Sequence, residues 1–342
     1  MKRKHIQRQG KWSAGIGALA IAASLVGSLA ISTNAAAQSS DWDGNGAPTS
    51  LKTAPAGTPI NAPAKNTIFS CIVITNGATG LPISIGQDFD LTLAQGVTPW
   101  EKDDKVTISK IQTVPGAVQM KSEFKITETK NTRTLKGNGI PNHPIGEFPI
   151  PENSRAYKWY AALPSSKESG FANAAQIPVR PYHLEVTLPK NPKIAAKPSC
   201  IRSLMLGVSL TGAGWHAEVA LDAQFNAVDP NAALPTDRCF GHPFDFQYHY
   251  HGYSWKCLDQ GKRGEPSPLV GYALDGFGIY GPRGADGKLV TNAQLDECHG
   301  RVGEVVFNGK KQKMYHYVLN NEYPYSIGCF RGTPRPMVGM NH

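Results

Sequence analysis

The chain lacks the short motifs that mark several large enzyme classes. It has no Gly-x-Ser-x-Gly nucleophile elbow, no Gly-rich phosphate-binding loop and no His-Glu-x-x-His zinc motif. It also has no Cys-x-x-Cys pair and no Lys/Arg block interleaved with aromatic residues. These absences count against a serine hydrolase of the elbow type, a P-loop nucleotide-binding protein and a nucleic-acid-binding protein.

Long helical patterns are lacking as well. No window longer than about twelve residues has a clean helical period. Short apolar runs instead alternate with turn dipeptides such as Asp275-Gly276 and Asn308-Gly309. Together with 35 Gly and 26 Pro, this pattern predicts a mainly β chain. We expect a large β-sandwich or a distorted barrel with long loops.

The N-terminus has the pattern of a secretory signal peptide. Five Lys/Arg residues precede an apolar run at about 14–31, and Ala35-Ala36-Ala37 fits a cleavage site. The alternative is an uncleaved anchor, which the short, Gly-, Ala- and Ser-rich run disfavours. Cleavage after residue 37 predicts a periplasmic or secreted protein with no integral membrane segment. It lowers the net charge from +9 to +4, because 35 Lys/Arg become 30 against 26 Asp/Glu.

The rest of the chain divides by composition. Residues 38–65 are rich in Asp, Asn, Gly, Ala, Pro and Thr, which is typical of a flexible linker. Residues 66–335 are long enough for one large β domain or for two coupled halves, 66–200 and 201–335. Residues 336–342 are predicted to be a tail.

Six cysteines in an exported chain predict disulfides, although six allow 15 connectivities. Two pairs each bracket one of the Tyr/His segments described next, and the third pair is what remains. The favoured pairs are Cys239–Cys257, Cys298–Cys329 and Cys71–Cys200.

The most informative segment is Tyr248-His249-Tyr250-His251, with a second Tyr-His-Tyr at 315–317. Strict alternation predicts a strand with both histidines on one face, about 6.5–7 Å apart at Cα. His242 and His316, the latter expected on a neighbouring strand, are the further candidate ligands. Neutral imidazoles suit copper, zinc or iron, so the sequence predicts a metal site. We find no internal repeat beyond the second Tyr-His-Tyr.

The chain resembles the YHYH domain family. The resemblance rests on six stretches in order between about residues 120 and 335: Asn138–His143, Cys239–Pro243, Tyr248–Gly252, Val270–Pro282, Leu295–Cys298 and Tyr323–Gly332. The chain departs from the family pattern at Val318, where the second motif often ends in His, and that removes one candidate ligand. The resemblance implies a single site assembled from distant segments.

Three further residues are candidates for that site. His143 follows a turn-forming Pro-Asn dipeptide that would present its imidazole from a loop. Asp275 follows an apolar strand and would bind the metal, orient a ligand or act as a general base, or it simply forms a tight turn. Arg331 would receive an anion, or it forms an ion pair with Asp296 or Glu297.

We therefore expect an exported metal-binding protein, either a metalloenzyme or a non-catalytic metal carrier. As a metalloenzyme it would use copper or iron for oxidation, or zinc for hydrolysis. A small molecule or the metal itself would be its partner, and no nucleic acid. The alternative is a structural extracellular module in which the Tyr/His motifs are a packed core.

Overall fold

The computed structural model describes most of the chain beyond residue 112 and short stretches before it. The described residues are 53–54, 62–75, 82–85, 113–161, 175–221, 227–228, 230, 234–254 and 256–338. They belong to one compact unit, Ala36–His342. The predicted signal peptide 1–37 lies outside them, as do most of the predicted linker and the end of the predicted tail.

The described residues are mainly β structure, which confirms the predicted fold class. The strands are β1 (Thr53–Ala54), β2 (Ile72–Thr75), β3 (Pro82–Ile85), β4 (Phe124–Glu128), β5 (Thr132–Gly137), β6 (Leu184–Pro189), β7 (Met205–Ser209), β8 (Gly214–His216), β9 (Ala220–Leu221), β10 (Ala227–Val228), β11 (Gly241–Phe244), β12 (Gln247–Tyr250), β13 (Leu269–Ala273), β14 (Gly278–Tyr280), β15 (Gly300–Phe307) and β16 (Lys310–Val318). Helix α1 spans Arg155–Ala161, and a 3₁₀ turn spans Asn292–Gln294. Within these ranges no helix has both the length and the apolar character needed to cross a bilayer.

Eight strands form the large sheet, in the order β11-β12-β8-β7-β13-β14-β16-β15. Its two outer strands, β11 and β15, do not pair with each other in the described part of the chain, so the sheet is open and a closed barrel is excluded. A three-stranded sheet has the order β4-β5-β6, another has the order β1-β10-β9, and β2 pairs with β3.

The β4–β6 sheet and the large sheet share one apolar core. Residues Leu184, Val186 and Leu188 alternate along β6 and are buried, while the residues between them are more exposed. Arg133 of β5 places its guanidinium 4.0 Å from the ring centre of Tyr272 on β13, a cation–π contact between the two sheets. The buried residues that alternate along β6 therefore pack the β4–β6 sheet onto the large sheet.

Three disulfides connect segments that are distant in the chain or flank the hairpins. They are Cys71–Cys200, Cys239–Cys257 and Cys298–Cys329. The sequence favours the same three pairs: two of them bracket a Tyr/His segment, and the third is what remains. The second pair flanks the β11–β12 hairpin, and the third flanks the β15–β16 hairpin.

The large sheet consists of two four-strand halves with the same strand arrangement. The first half consists of β7, β8, β11 and β12, and the second half of β13, β14, β15 and β16. In each half a hairpin places its second strand in parallel against the earlier short strand, β12 against β8 and β16 against β14. At the junction Val208 of β7 is paired with Tyr272 of β13. The expectation that no repeat exists beyond the second Tyr-His-Tyr is therefore wrong, because a four-strand unit occurs twice.

Candidate metal centre

A buried carboxylate fixes the start of the β11–β12 hairpin. Oδ1 of Asp237 accepts hydrogen bonds from the backbone N–H of Cys239 at 2.8 Å and of Gly241 at 3.2 Å. Oδ2 accepts the N–H of Gly146 at 2.8 Å and the hydroxyl of Tyr248 at 2.9 Å. A side chain at Gly241 would overlap the Tyr248 hydroxyl. The first tyrosine of the motif is thus an anchor for the hairpin.

His143 lies on the tyrosine side of β12, away from the other histidines of the motif region. Its Nε2 forms a hydrogen bond with the Tyr250 hydroxyl, which also lies 2.8 Å from the Thr211 hydroxyl. The Cys239 and Cys257 sulfurs lie nearby and would complete a set of potential ligand atoms. They form a disulfide, however, so no thiolate is present to bind a metal. The structure does not bring His143 to His249 and His251, which lie on the other side of β12.

Three imidazoles converge on the opposite side of β12. His249 pairs with His242 of β11, and His251 follows two residues later on the same face. Nε2 of His251 lies 3.2 Å from Nε2 of His242 and 3.2 Å from Nε2 of His249. The three side chains are 1–3 % exposed. The alternation of the motif therefore produces a compact cluster of nitrogen donors, which we call the histidine cluster.

Hydrogen bonds determine which ring nitrogens in the cluster carry protons. Nδ1 of His249 lies 3.0 Å from the Gln247 carbonyl, and Nδ1 of His251 lies 3.2 Å from Oε2 of Glu218. A carbonyl oxygen only accepts, so Nδ1 of His249 carries the proton and its Nε2 has a lone pair. With Glu218 ionised, Nδ1 of His251 carries the proton as well, and its Nε2 also has a lone pair. Two lone pairs then face each other across 3.2 Å. This arrangement is repulsive unless a cation lies between them.

Burial lowers the pKa of every imidazole in the cluster. The pKa of His242 and of His249 is well below the ordinary 6.5 because of lost hydration, with a further decrease from the neighbouring imidazoles. Lost hydration lowers the pKa of His251 to about 3. All three are therefore neutral at pH 7, which is the form that binds metal ions.

Two residues of the site are absent from the sequence prediction. Glu218 is fully buried; its Oε2 lies 3.2 Å from Nδ1 of His251, and its Oε1 accepts the N–H of Gly252. His216 stacks on His249 with ring centres 3.5 Å apart and an interplanar angle of 14°. Both follow from the parallel pairing of β12 with β8. The alternation His216-Ala217-Glu218, which predicts one shared face on a strand, is the signal that could have identified them.

His316 is separated from the histidine cluster, which corrects its predicted place on a neighbouring strand. The neighbours of β12 are β11 and β8, and β16 lies five strands away in the sheet. At about 4.8 Å per strand this separation is roughly 24 Å. Nδ1 of His316 instead lies 3.2 Å from the Met314 carbonyl, and its ring packs edge-on against Tyr280.

The structure also separates the other two candidates from the cluster. Asp275 lies in the turn between β13 and β14, where Oδ2 accepts the Tyr317 hydroxyl at 2.6 Å and the Gly332 N–H at 2.9 Å. Arg331 lies 3.6 Å from Asp296 and 3.9 Å from Glu297. These contacts are the ones expected if Asp275 forms a tight turn and Arg331 forms an ion pair with Asp296 or Glu297.

A comparison with protein families gives one match for the chain. Residues 185–291 match the family model described as YHYH protein. This range includes the histidine cluster, Glu218 and Asp275. No curated protein and no solved structure matches the chain.

Proposed function

The chain carries a YHYH domain over residues 185–291, and we propose that this domain binds one transition-metal ion through His242, His249 and His251. The observation that carries the proposal is the approach of Nε2 of His249 to Nε2 of His251 at 3.2 Å, where two lone pairs face each other when Glu218 is ionised. A metal ion accepts both lone pairs and removes their repulsion. His242 supplies a third nitrogen at the same distance from His251.

The spacing of the nitrogens supports a tetrahedral ion. Bonds of about 2.0–2.1 Å in tetrahedral geometry place ligand nitrogens about 3.3–3.4 Å apart. The two separations measured to His251 are 3.2 Å. These two separations therefore match those of a loaded site, and the three ligand atoms all lie within 4.8 Å of one another.

The donor set supports zinc, copper or iron as the ion. Calcium and magnesium take oxygen ligands, whereas three neutral imidazoles suit these transition metals. Glu218 would bring a negative charge next to the ion and hold the ring of His251 in place, as carboxylates often do behind metal-binding histidines. A bound dication would in turn oppose the rise that burial causes in the pKa of Glu218.

The number of ligands supports a metalloenzyme as the second candidate function. Three protein ligands leave a fourth position of a tetrahedral ion open to water or substrate. Zinc at this site would supply a hydroxide for hydrolysis, whereas copper or iron would supply oxidation chemistry. The side chains are at most 3 % exposed, which favours a retained ion over one that is passed to a partner.

We also propose that the protein works in the periplasm or outside the cell. Three disulfides support an oxidising compartment, since such bonds are rare in the cytosol. The predicted cleavage after residue 37 agrees with export. The experiment below therefore starts from protein recovered outside the cytoplasm, and its intact mass should correspond to a chain that begins at Gln38.

The test is elemental analysis of this protein beside a His249→Asn/His251→Asn variant. Asparagine places an N–H close to the position of Nδ1, so the hydrogen bonds to Gln247 and Glu218 are kept while both ligand nitrogens are removed. We expect about one equivalent of zinc, copper or iron in the wild type and none in the variant.

His183→Ala is the matched control, because His183 lies immediately before β6 with its side chain 48 % exposed. It should retain the metal. Wild-type protein that holds no metal after reconstitution with each of the three ions would contradict the proposed function. An intact mass that includes residues 1–37 would contradict the proposed cleavage.

A further inference from the structure

The two halves of the large sheet match residue by residue as well as strand by strand. The first pair of strands in each half repeats at a spacing of 64 residues, with glycines at corresponding positions. An Asp-x-Cys-x-Gly segment then precedes each hairpin, and a Tyr-His-Tyr segment forms its second strand. The matching segments are Leu206–His216 with Val270–Tyr280, Asp237–His242 with Asp296–Arg301, and Tyr248–His251 with Tyr315–Val318.

Hydrogen bonds repeat along with the sequence. Oδ1 of Asp296 accepts the N–H of Cys298 at 3.0 Å, the N–H of Gly300 at 3.0 Å and the Tyr315 hydroxyl at 3.1 Å. Asp237 makes the corresponding contacts in the first half. A side chain at Gly300 would overlap the Tyr315 hydroxyl, as one at Gly241 would overlap Tyr248.

The registers of the short strands agree too. β7 and β8 are antiparallel with an irregularity between Met205 and Gly207, and β13 and β14 have the same irregularity between Leu269 and Gly271. Val208 and Tyr272 occupy corresponding positions and pair with each other across the junction. The two halves are thus related by a pseudo-two-fold axis near this pair.

This correspondence identifies the positions in the second half that match the histidine cluster. Arg301 occupies the position of His242, and Val318 occupies that of His251. His316 occupies the position of His249 and keeps the same backbone contact, from Nδ1 to the carbonyl two residues earlier. Tyr280 occupies the position of His216 and contacts His316, edge-on with ring centres 5.3 Å apart, where His216 stacks on His249.

We infer that the large sheet contains two equivalent metal positions built by one repeated unit, and that Arg301 and Val318 exclude the ion from the second. The inference rests on the proposed function. A guanidinium carries a permanent positive charge and has no lone pair to donate, so it repels a metal ion. Valine offers no donor atom, and the single imidazole of His316 does not suffice for a tetrahedral site. The domain therefore binds one ion and not two.

The test is to restore the lost ligands with Arg301→His/Val318→His. We expect the metal content to rise from about one equivalent to about two, as measured by elemental analysis and titration calorimetry on folded, disulfide-bonded protein. The second ion should bind about 10–100-fold more weakly, because Pro282 stands where the spacing of 64 residues would place a counterpart of Glu218.

Arg301→Gln/Val318→Thr is the matched control. It removes the cation and the aliphatic side chain without adding an imidazole, so it should stay at one equivalent. One equivalent in the wild type and also in the histidine variant would overturn the inference and leave the proposed function intact. No metal in the wild type would instead contradict the proposed function.

A conservative variant tests the same inference without depending on the double replacement. His316→Asn should leave the single equivalent of metal unchanged, whereas His249→Asn/His251→Asn removes it. Two equivalents in the wild type, or loss of the metal in His316→Asn, would overturn the inference even if the restored variant fails to fold.

Discussion

The two halves of the large sheet carry the same side chains on one face of their hairpins and different side chains on the other face. On the tyrosine side, each hairpin has two tyrosines packed edge-on, with ring centres 5.7 Å apart in the first half and 5.3 Å apart in the second. On the histidine side, three imidazoles in the first half correspond to one imidazole, a guanidinium and an isopropyl group in the second. The comparison assigns the tyrosines of the motif to the fold and the histidines to the site.

The comparison also accounts for Asp275. Tyr250 and Tyr317 are the corresponding second tyrosines, and their hydroxyls contact Thr211 and Asp275 respectively. These two partners lie at the same position of the turn that connects the short strands of each half. Asp275 is therefore part of the frame that holds the second hairpin.

The largest expected difference between the halves follows from metal removal. A free-ion concentration of about 1,000 times the dissociation constant stabilises the folded state by about 4 kcal/mol. For a domain of this size, we expect a chelator to lower Tm by roughly 10 °C in the wild type. The amides of β11 and β12 should exchange faster with solvent, while those of β15 and β16 change much less. Thermal unfolding and hydrogen exchange measure these effects.

The control is His249→Asn/His251→Asn, in which the chelator should leave both Tm and exchange unchanged. Equal loss of protection in both hairpins of the wild type would show that the metal does not distinguish the halves.

Much of the first half could be predicted from its sequence, because the informative residues are close together. Alternation placed His249 and His251 on one face, and His242 follows from the short hairpin that joins it to them. The bracketing cysteines predicted the disulfide on each hairpin. Local patterns therefore sufficed for the three imidazoles themselves, although their role as ligands stays a proposal.

The remainder depends on pairing between distant strands. Glu218 reaches His251 only because β12 lies parallel to β8, and no local pattern specifies that pairing. His316 was predicted on a strand next to that of His249, because a third histidine would complete a three-nitrogen site. In fact each Tyr-His-Tyr segment belongs to its own half. The repeat itself is hard to recognise in the sequence, because the spacing between matching segments changes from 64 to 59 to 67 residues.

A smaller effect is expected from substitution of Glu218, a carboxylate that has no counterpart in the second half. Glu218→Gln keeps the size of the side chain and removes its charge. We expect metal affinity to fall about 10–100-fold, since partners of this kind orient the ligand and raise its basicity. Titration calorimetry with the ion that the protein is found to bind measures the change.

Glu297→Gln is the matched control, because Glu297 lies in the second half and is 35 % exposed beside Arg331. Its affinity should equal that of the wild type. Unchanged affinity in Glu218→Gln would mean that the carboxylate only packs against His251 and does not support the site.

The smallest effect concerns His299, which occupies in the second half the position of Phe240 in the first. Burial lowers the pKa of His299 from 6.5 to about 3. Because the unfolded chain binds a proton that the folded state does not, the free energy of unfolding falls as the pH drops below 6.5. Between pH 7.5 and 5.5 this loss is about 1.4 kcal/mol. Asparagine tolerates the positive φ of 65° found at this position.

The free energy of unfolding of His299→Asn should therefore fall less than that of the wild type when the pH drops from 7.5 to 5.5. Denaturant unfolding of the metal-free proteins at pH 7.5 and 5.5 measures the difference, and Phe240→Leu in the first half is the control that should keep the wild-type pH dependence. Nδ1 of His299 donates to the Val318 carbonyl at 2.9 Å, and its Nε2 lies 2.9 Å from Oδ1 of Asn292. Some loss of stability at both pH values is thus expected, and only the change between them tests the argument. An unchanged pH dependence would mean that burial does not keep His299 neutral in the folded state.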